Sequence, residues 1–287
     1  MKYSIVIPTY NRAEILKKCL DCLEKQTYKD FEVIIVNDGG DDEPKKFIKE
    51  FKKLWIKYIY QEHSQQGVAR NKGIDISRGD YIIFIGDDIL PSPEWLENID
   101  KQTLKNQNDA VLGLTLWHPD INPNEFMKYL APNGPQFNYG IIKNKDDCGW
   151  GFFWTSNICV PRKFLEKERF DENFVGWGCE DLELGYRLQK NGLKICFNPK
   201  AIAYHYHYYG DSKGFFENQK NSAKAVIYCI KKHPELKKDL IENNKLKYWH
   251  KILLGIYSLF HFLKRASRFN VIYWKLKRRV AFNQGLK

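Results

Sequence analysis

The chain has 287 residues, 43% hydrophobic and 15% aromatic, enough apolar surface for a full core; this excludes a disordered or fibrous protein. Seven cysteines form an odd set without a regular framework, so they read as the reduced thiols of a cytoplasmic protein. The formal charge of +11 is concentrated in residues 243–287, which hold 11 Lys or Arg and no Asp or Glu, leaving 35 basic and 35 acidic residues in the first 242.

The opening Met1-Lys2-Tyr3-Ser4-Ile5-Val6-Ile7-Pro8 is too short and too strand-like for a signal peptide. Ser4 to Ile7 and Phe31 to Val36 predict buried strands. Between them Arg12 to Gln26 predicts an amphipathic helix, apolar at Ile15, Leu16, Cys19, Leu20 and Leu23. A helix is expected over Pro44 to Leu54, a strand over Ile56 to Tyr60, a helix over Gly67 to Ile76 and a strand over Tyr81 to Ile85. Repeated βαβ crossovers of this kind predict an α/β, Rossmann-like, mainly parallel sheet flanked by helices. From Ala110 the pattern changes. Val111 to Leu116 predicts a strand, and the Pro-, Asn- and Gly-rich segment to Cys148 is long enough to hold a substrate. Glu180 to Asn191 reads as a helix stopped by Gly192, followed by strands at Lys194 to Phe197 and Ala201 to His205. After Phe215 the chain reads as helical. The expected division is a main domain over 1–232 and a basic, aromatic-rich helical extension over 233–287.

The residues that carry chemistry sit at predicted strand ends. Gly86-Asp87-Asp88-Ile89 follows the apolar run Tyr81 to Ile85 directly. Two carboxylates at the C-terminal end of a buried strand lie where open α/β sheets bind ligands, and they suit a divalent cation with its phosphate. A plain turn would leave two like charges side by side, which is costly. Ala203-Tyr204-His205-Tyr206-His207 places two imidazoles on one face of a strand. Imidazole joins carboxylates around Mn²⁺; a surface histidine is the alternative, and the stronger one for His207. Pro8-Thr9-Tyr10 ends the first strand as a turn, and Tyr10 can flank a planar base. Asp38 can accept from a base NH or a ribose hydroxyl, or cap the turn into Gly39-Gly40. Glu180 and Asp181 open a helix, where the dipole favours acids. Trp150, Trp154 and Trp177 suit either sugar faces or core packing. Cys19-Leu20-Asp21-Cys22 has redox spacing but no second pair at zinc-site spacing. The chain has no Gly-rich dinucleotide turn and no Gly-Lys-Ser/Thr phosphate loop, which argues against dehydrogenases and ATPases.

Four segments taken together resemble the family 2 glycosyltransferases: Val6 to Arg12, Val36-Asn37-Asp38-Gly39, Ile85 to Pro91, and Gly176 to Leu184. The resemblance spans roughly residues 1 to 232, with the order and spacing of all four segments retained. It implies the A-type nucleotide-sugar transferase fold and an inverting enzyme that moves a sugar from a nucleotide-diphosphate sugar, most often UDP-linked, to a hydroxyl of a saccharide or lipid-linked acceptor in cell-surface glycan synthesis. It also implies roles for this chain's residues. Pro8, Thr9, Tyr10, Arg12 and Asp38 hold the nucleotide, and Arg70 reaches the diphosphate or base edge. Asp88 binds the cation, Mn²⁺ or Mg²⁺, with His205, while Asp87 serves the donor sugar or a bound water. Asp181 is the general base, Glu180 orients the acceptor, and Trp177 and Trp150 stack on sugar. One departure stands out: Gly86 replaces the first acid of the usual Asp-x-Asp triplet. That motivates a rival, a nucleotide- or carbohydrate-binding module of the same fold without catalysis. A nucleotidyltransferase is a second rival, although its Gly-rich basic N-terminal loop is missing.

In the tail, the apolar run Ile252 to Leu263 lies between Lys251 and Lys264-Arg265, with Trp249, Phe269, Tyr273 and Trp274 nearby. It is too short to span a bilayer. This composition suits the anionic inner face of the cell membrane, while packing on the main domain or on a second subunit is the plainer reading. No nucleic-acid reading motif accompanies the basic residues.

Overall fold

A computed structural model describes residues 1–41, 44–174, 178–241, 253–254, 258 and 267–286. The chain forms two compact units. One comprises 1–122, 130–172 and 181–208, the other 123–129, 173–180 and 209–287.

The first unit is built on one eight-stranded sheet in the order β3-β2-β1-β4-β7-β6-β8-β5. Its strands are β1 (Tyr3–Thr9), β2 (Phe31–Asp38), β3 (Ile56–Gln61), β4 (Tyr81–Ile85), β5 (Ile89–Pro91), β6 (Ala110–Trp117), β7 (Asn157–Pro161) and β8 (Ile195–His205). β1 runs parallel to β2 and β4, β2 to β3, and β6 to β8. β7 is antiparallel to β4 and β6, and β5 to β8. The sheet is therefore mainly parallel, as predicted, with two antiparallel insertions.

Period-two alternation divides the central strands between two apolar layers. Ile5, Ile7, Val33, Ile35, Ile83 and Ile85 face one core, which Leu16, Leu20 and Leu23 of α1 (Ala13–Glu24) also enter, with Trp95, Leu96 and Ile99 of a helix at Trp95–Lys105. Val6, Ile34, Val36, Ile82 and Phe84 face the other, shared with Ala69 and Ile74 of a helix at Gln66–Ile76 and Leu184 and Leu188 of a helix at Glu180–Lys190. Along α1, buried Leu16, Cys19, Leu20 and Leu23 repeat at the spacing of one helix face. The flanking helices on both faces follow from this division.

Three expectations need correction. The helix predicted over Pro44 to Leu54 is the short Lys45–Ile48, after which Phe51 and Leu54 continue in turns bonded to residues three positions back. Beyond Pro44 only Phe47 and Phe51 are buried in that lysine-rich stretch, too little apolar surface to carry a longer helix. The strands predicted at Lys194 to Phe197 and Ala201 to His205 are one strand, β8. Its pairing slips where Gly113 faces Asn198 and Leu114 faces Ile202, across Pro199, whose nitrogen cannot donate to a ladder. Finally β5, β7 and the Trp95–Lys105 helix arise where no element was predicted; Trp95 is fully buried and donates from Nε1 to Asn157 Oδ1 at 2.8 Å, tying that helix to β7.

In the second unit a helix at Lys213–Lys232 packs along another at Ser267–Gly285. Phe126, Phe215, Phe216 and Trp274 form an aromatic core there, with Phe126 and Trp274 centroids 5.2 Å apart. No helix among the described residues is long and apolar enough to cross a membrane. Most of the apolar run from Ile252 to Leu263, and Trp177, lie outside the described residues.

Candidate active site

Strand direction brings several of the singled-out residues to one edge of the sheet. β1 ends at Thr9, β2 at Asp38 and β4 at Ile85, all at the C-terminal edge. After β4 the chain turns through Gly86-Asp87-Asp88, closed by Ile89 N donating to Gly86 O at 3.2 Å, and β5 then runs back along β8 with Ile89 opposite His205. Tyr206 N donates to Asp88 O at 2.7 Å. This register sets His205 beside Asp88, with Nε2 3.5 Å from Oδ2.

The two acids are held differently. Asp87 is fully buried and accepts from Thr9 Oγ1 at 2.8 Å and Arg12 Nε at 3.2 Å, while Arg12 Nη2 ion-pairs with its other oxygen. Arg12 Nη1 reaches Asp88 Oδ2 at 2.8 Å. One guanidinium thus spans both carboxylates. Burial and the adjacent Asp88 charge push Asp87 up to about 7, against the pull of Arg12 and Thr9. Burial acts in the same direction on Asp88, but His205 and Arg12 outweigh it and hold that carboxyl well below the usual range. A Cβ at Gly86 would stand 2.7 Å from Asp88 Oδ1, so a side chain there would shift that carboxylate.

Asp88, His205 and His207 each offer a ligand atom, all within 4.8 Å of one another. His207, expected at the surface, joins this group: its ring stacks on His205 at 5.6 Å, and burial followed by the facing His205 pushes its imidazole down toward the neutral, metal-binding form. On its other side His205 stacks on Trp117 at 5.2 Å, and its Nδ1 lies 3.4 Å from Gln136 Nε2. Gln136 Oε1 is buried without a partner. Turning this amide end for end would let Oε1 accept from His205 Nδ1–H, so that a cation displacing the Nε2 proton would find the Nε2 lone pair and Asp88 on the same side. That is the second-layer arrangement of a metal-bound histidine, so the donor set and the orphaned oxygen fit a divalent cation.

Of the rest of the predicted nucleotide set, Pro8, Tyr10 and Asp38 lie at the ends of β1 and β2 on the same edge. Asp38 Oδ1 accepts from Gln61 Nε2 at 2.5 Å and from Ser64 N and Oγ at 3.0 Å, and Oδ2 lies 3.2 Å from His63 Nδ1. The turn into Gly39-Gly40 is capped by Asn37 instead, whose Oδ1 accepts from Gly40 N at 2.9 Å. Exposed Tyr10 stacks on His63 at 4.3 Å. Pro8 is half-buried within β1. Arg70 is buried, donates to Gln66 Oε1 at 3.0 Å and lies over the Phe170 ring.

Glu180 and Asp181 open their helix after Gly178 and Cys179, both at positive φ; each acid is half-buried, and Asp181 Oδ1 accepts from Leu182 N at 2.8 Å. Half-buried Trp150 packs edge-on against Tyr186 at 5.7 Å, and its N donates to Gln189 Oε1 at 2.7 Å. Sequence reasoning missed Gln136 and His63. Neither belongs to a periodic pattern; the only signal for Gln136 was its place in the long segment before Cys148.

Comparisons with known proteins show the family and the fold. Residues 4–169 match the model of glycosyl transferase family 2, and 162–211 match one described as the N-terminal domain of galactosyltransferase. Solved GT-A structures share the fold: mannosyltransferase PcManGT from Pyrobaculum calidifontis with GDP-Man and Mn²⁺ (TM-score 0.71, 14% identity, 99% of this chain and 86% of that one), and residues 1–349 of S. aureus TarS with UDP (TM-score 0.61, 16% identity, 100% and 90%). The protein belongs to glycosyl transferase family 2. Among curated relatives it is 27% identical to validoxylamine A glucosyltransferase of Streptomyces hygroscopicus subsp. jinggangensis, over 83% of this chain and 62% of that protein. It is 32% identical to the chondroitin synthase of Escherichia coli, over 70% of the chain and 34% of the synthase. It is also 31% identical to the amylovoran biosynthesis glycosyltransferase AmsB of Erwinia amylovora, over 72% and 70%. The chain thus spans less than two thirds of the length of the first two of these relatives.

Proposed function

We propose that this glycosyltransferase is inverting and moves a sugar from a nucleotide-diphosphate sugar, UDP-linked, to a hydroxyl of a saccharide or lipid-linked acceptor in cell-surface glycan synthesis. The observation that carries this reading is the convergence of Asp88, His205 and His207 at the sheet edge where Thr9 and Asp38 also end. The names of the relatives and the UDP and GDP-Man bound to the fold neighbours support it.

Asp88 and His205, with His207 beside them, would hold Mn²⁺ or Mg²⁺, which when bound supplies positive charge to the departing diphosphate. Tyr10 and Asp38 bind the nucleoside, with Pro8 and Thr9 shaping the loop and Arg70 at the diphosphate or base edge. Asp87, which was expected to serve the donor sugar or a bound water, is fully buried against Thr9 and Arg12 and is assigned instead to anchoring Arg12. Asp181 takes the proton of the acceptor hydroxyl as its oxygen bonds to the anomeric carbon and the bond from that carbon to the diphosphate breaks; Glu180 orients the acceptor. The transition state has oxocarbenium character, and a single displacement inverts the centre. Trp150 and Trp177 stack on acceptor sugar. The glycine at position 86, which motivated the binding-module reading, leaves room for the Asp88 carboxylate and so is compatible with an intact site.

Catalysis is assigned to 1–232, and the basic segment 233–287 to an anionic inner membrane surface, each Lys or Arg near it contributing about 1 kcal/mol. No nucleic-acid partner is proposed. Transfer of radiolabelled sugar by Asp181→Asn tests the mechanism: nucleotide affinity should hold while turnover falls about 10²- to 10⁴-fold. Unchanged turnover would remove Asp181 from the role of base.

A further inference from the structure

The acid pair already carries a cation of the chain's own. Arg12 ion-pairs with Asp87 through Nη2, contacts it again through Nε at 3.2 Å, and reaches Asp88 Oδ2 through Nη1 at 2.8 Å. That same Oδ2 is the oxygen facing His205 Nε2 at 3.5 Å, so the guanidinium stands on the metal-binding side of Asp88. The three contacts are unequal in what they can give up. Asp87 is fully buried and gripped a second time by Thr9, whereas the Arg12 side chain is 39% exposed. Arg12 is thus anchored at one end and free to release the other.

We propose that Arg12 is a displaceable counter-cation, holding Asp88 until a divalent cation takes that oxygen and then presenting the freed Nη1, still hinged on Asp87, to the diphosphate of the donor. The proposal rests on the reading of Asp88 and His205 as metal ligands. Its physical basis is that two cations at one carboxylate oxygen repel each other, whereas a diphosphate beside them attracts both. Metal alone must displace an ion pair; metal with nucleotide gives that guanidinium a new partner. Metal and nucleotide therefore bind cooperatively, and by linkage each strengthens the other equally.

The test is Mn²⁺ binding followed by calorimetry and by the loss of the free-ion paramagnetic resonance signal, with and without UDP, in the wild type, Arg12→Gln, Arg12→Lys and His205→Ala. The wild type should bind Mn²⁺ alone weakly and about tenfold more tightly with UDP. Arg12→Gln should bind Mn²⁺ alone about tenfold more tightly than the wild type, and UDP should enhance that binding less. Its melting temperature without metal should fall, because two adjacent carboxylates lose their counter-ion, and Mn²⁺ should restore it. Arg12→Lys keeps a charge but cannot span both acids, so its affinity for Mn²⁺ alone should fall between the two. His205→Ala should lose Mn²⁺ binding. If both Arg12 variants bind Mn²⁺ alone no more tightly than the wild type while His205→Ala abolishes binding, the counter-cation role is overturned and the metal site stands. If no variant binds Mn²⁺ even with UDP, the metal site falls and the proposal with it.

Discussion

At the scale of single residues, a histidine can serve a cation only through an unprotonated nitrogen, so whatever faces the other nitrogen matters as much as the ligand set. For His205 that neighbour is Gln136, whose Nε2 lies 3.4 Å from Nδ1 and whose orphaned Oε1, with the amide turned end for end, would accept a hydrogen bond from Nδ1–H. Gln136→Leu is expected to weaken Mn²⁺ binding about 10- to 100-fold without unfolding the chain. Titration of Mn²⁺ in the presence of UDP checks this, and unchanged affinity would show that Trp117 stacking alone orients the ring. Asp87 and Asp88 were legible in sequence because two acids set directly after five apolar residues repel each other at a buried strand end unless a cation lies between them. Arg12 was legible only as part of a resembling segment. Its bridge across both acids depends on how the β1 loop approaches the β4 turn, which no local pattern encodes.

Among the elements, β2 carries a fully enclosed charge at its start, Glu32. Its carboxylate receives Ser4 Oγ at 2.7 Å, the Arg78 backbone N–H at 2.6 Å and Lys57 Nζ at 2.8 Å, joining β1, β3 and the turn before β4. Burial alone would raise its pKa, but these partners outweigh it and hold the carboxyl below its ordinary value. A carboxyl depressed on folding adds stability that is full above its unfolded pKa, about 4.3, and is lost as pH falls through the lower folded value. Glu32→Gln should therefore cost about 3 kcal/mol at pH 7 by denaturant unfolding, with the difference from the wild type shrinking below about pH 4. A difference independent of pH would mean that the side chain acts by shape alone. A second element-level contact lies where Gly185 meets Phe153: a Cβ there would come within 2.5 Å of the Phe153 Cβ. Gly185→Ala should cost about 1–3 kcal/mol and loosen the Trp150 segment, seen as faster amide exchange there. β1, β2, β4 and β6 were legible because each is built around an apolar run. β7 escaped because Asn157-Ile158-Cys159-Val160-Pro161 is short, bounded by Pro161 and preceded by an aromatic loop. β8 reads as two strands in sequence because Pro199 interrupts an apolar pattern that the strand survives by slipping register.

For the whole molecule, the alternation of strands and helices was enough to predict a Rossmann-like, mainly parallel sheet, since crossovers leave few other arrangements. The antiparallel β5 and β7 depend on contacts distant in sequence and were not legible. Charge distribution assigned residues 233–287 a separate character, and the membrane role proposed for them has a direct check. The protein should sediment with vesicles containing phosphatidylserine and lose that binding in high salt, whereas equal sedimentation with neutral vesicles would exclude an electrostatic attachment. The central claim, a nucleotide-diphosphate site completed by a cation at Asp88 and His205, is tested most directly by thermal unfolding with UDP, GDP, TDP or CDP in Mn²⁺ or in EDTA. The account predicts that one nucleoside diphosphate, UDP, raises the melting temperature in Mn²⁺ and that EDTA or Asp88→Asn abolishes the rise. No stabilisation by any of the four, or a UDP effect equal in EDTA, would contradict it.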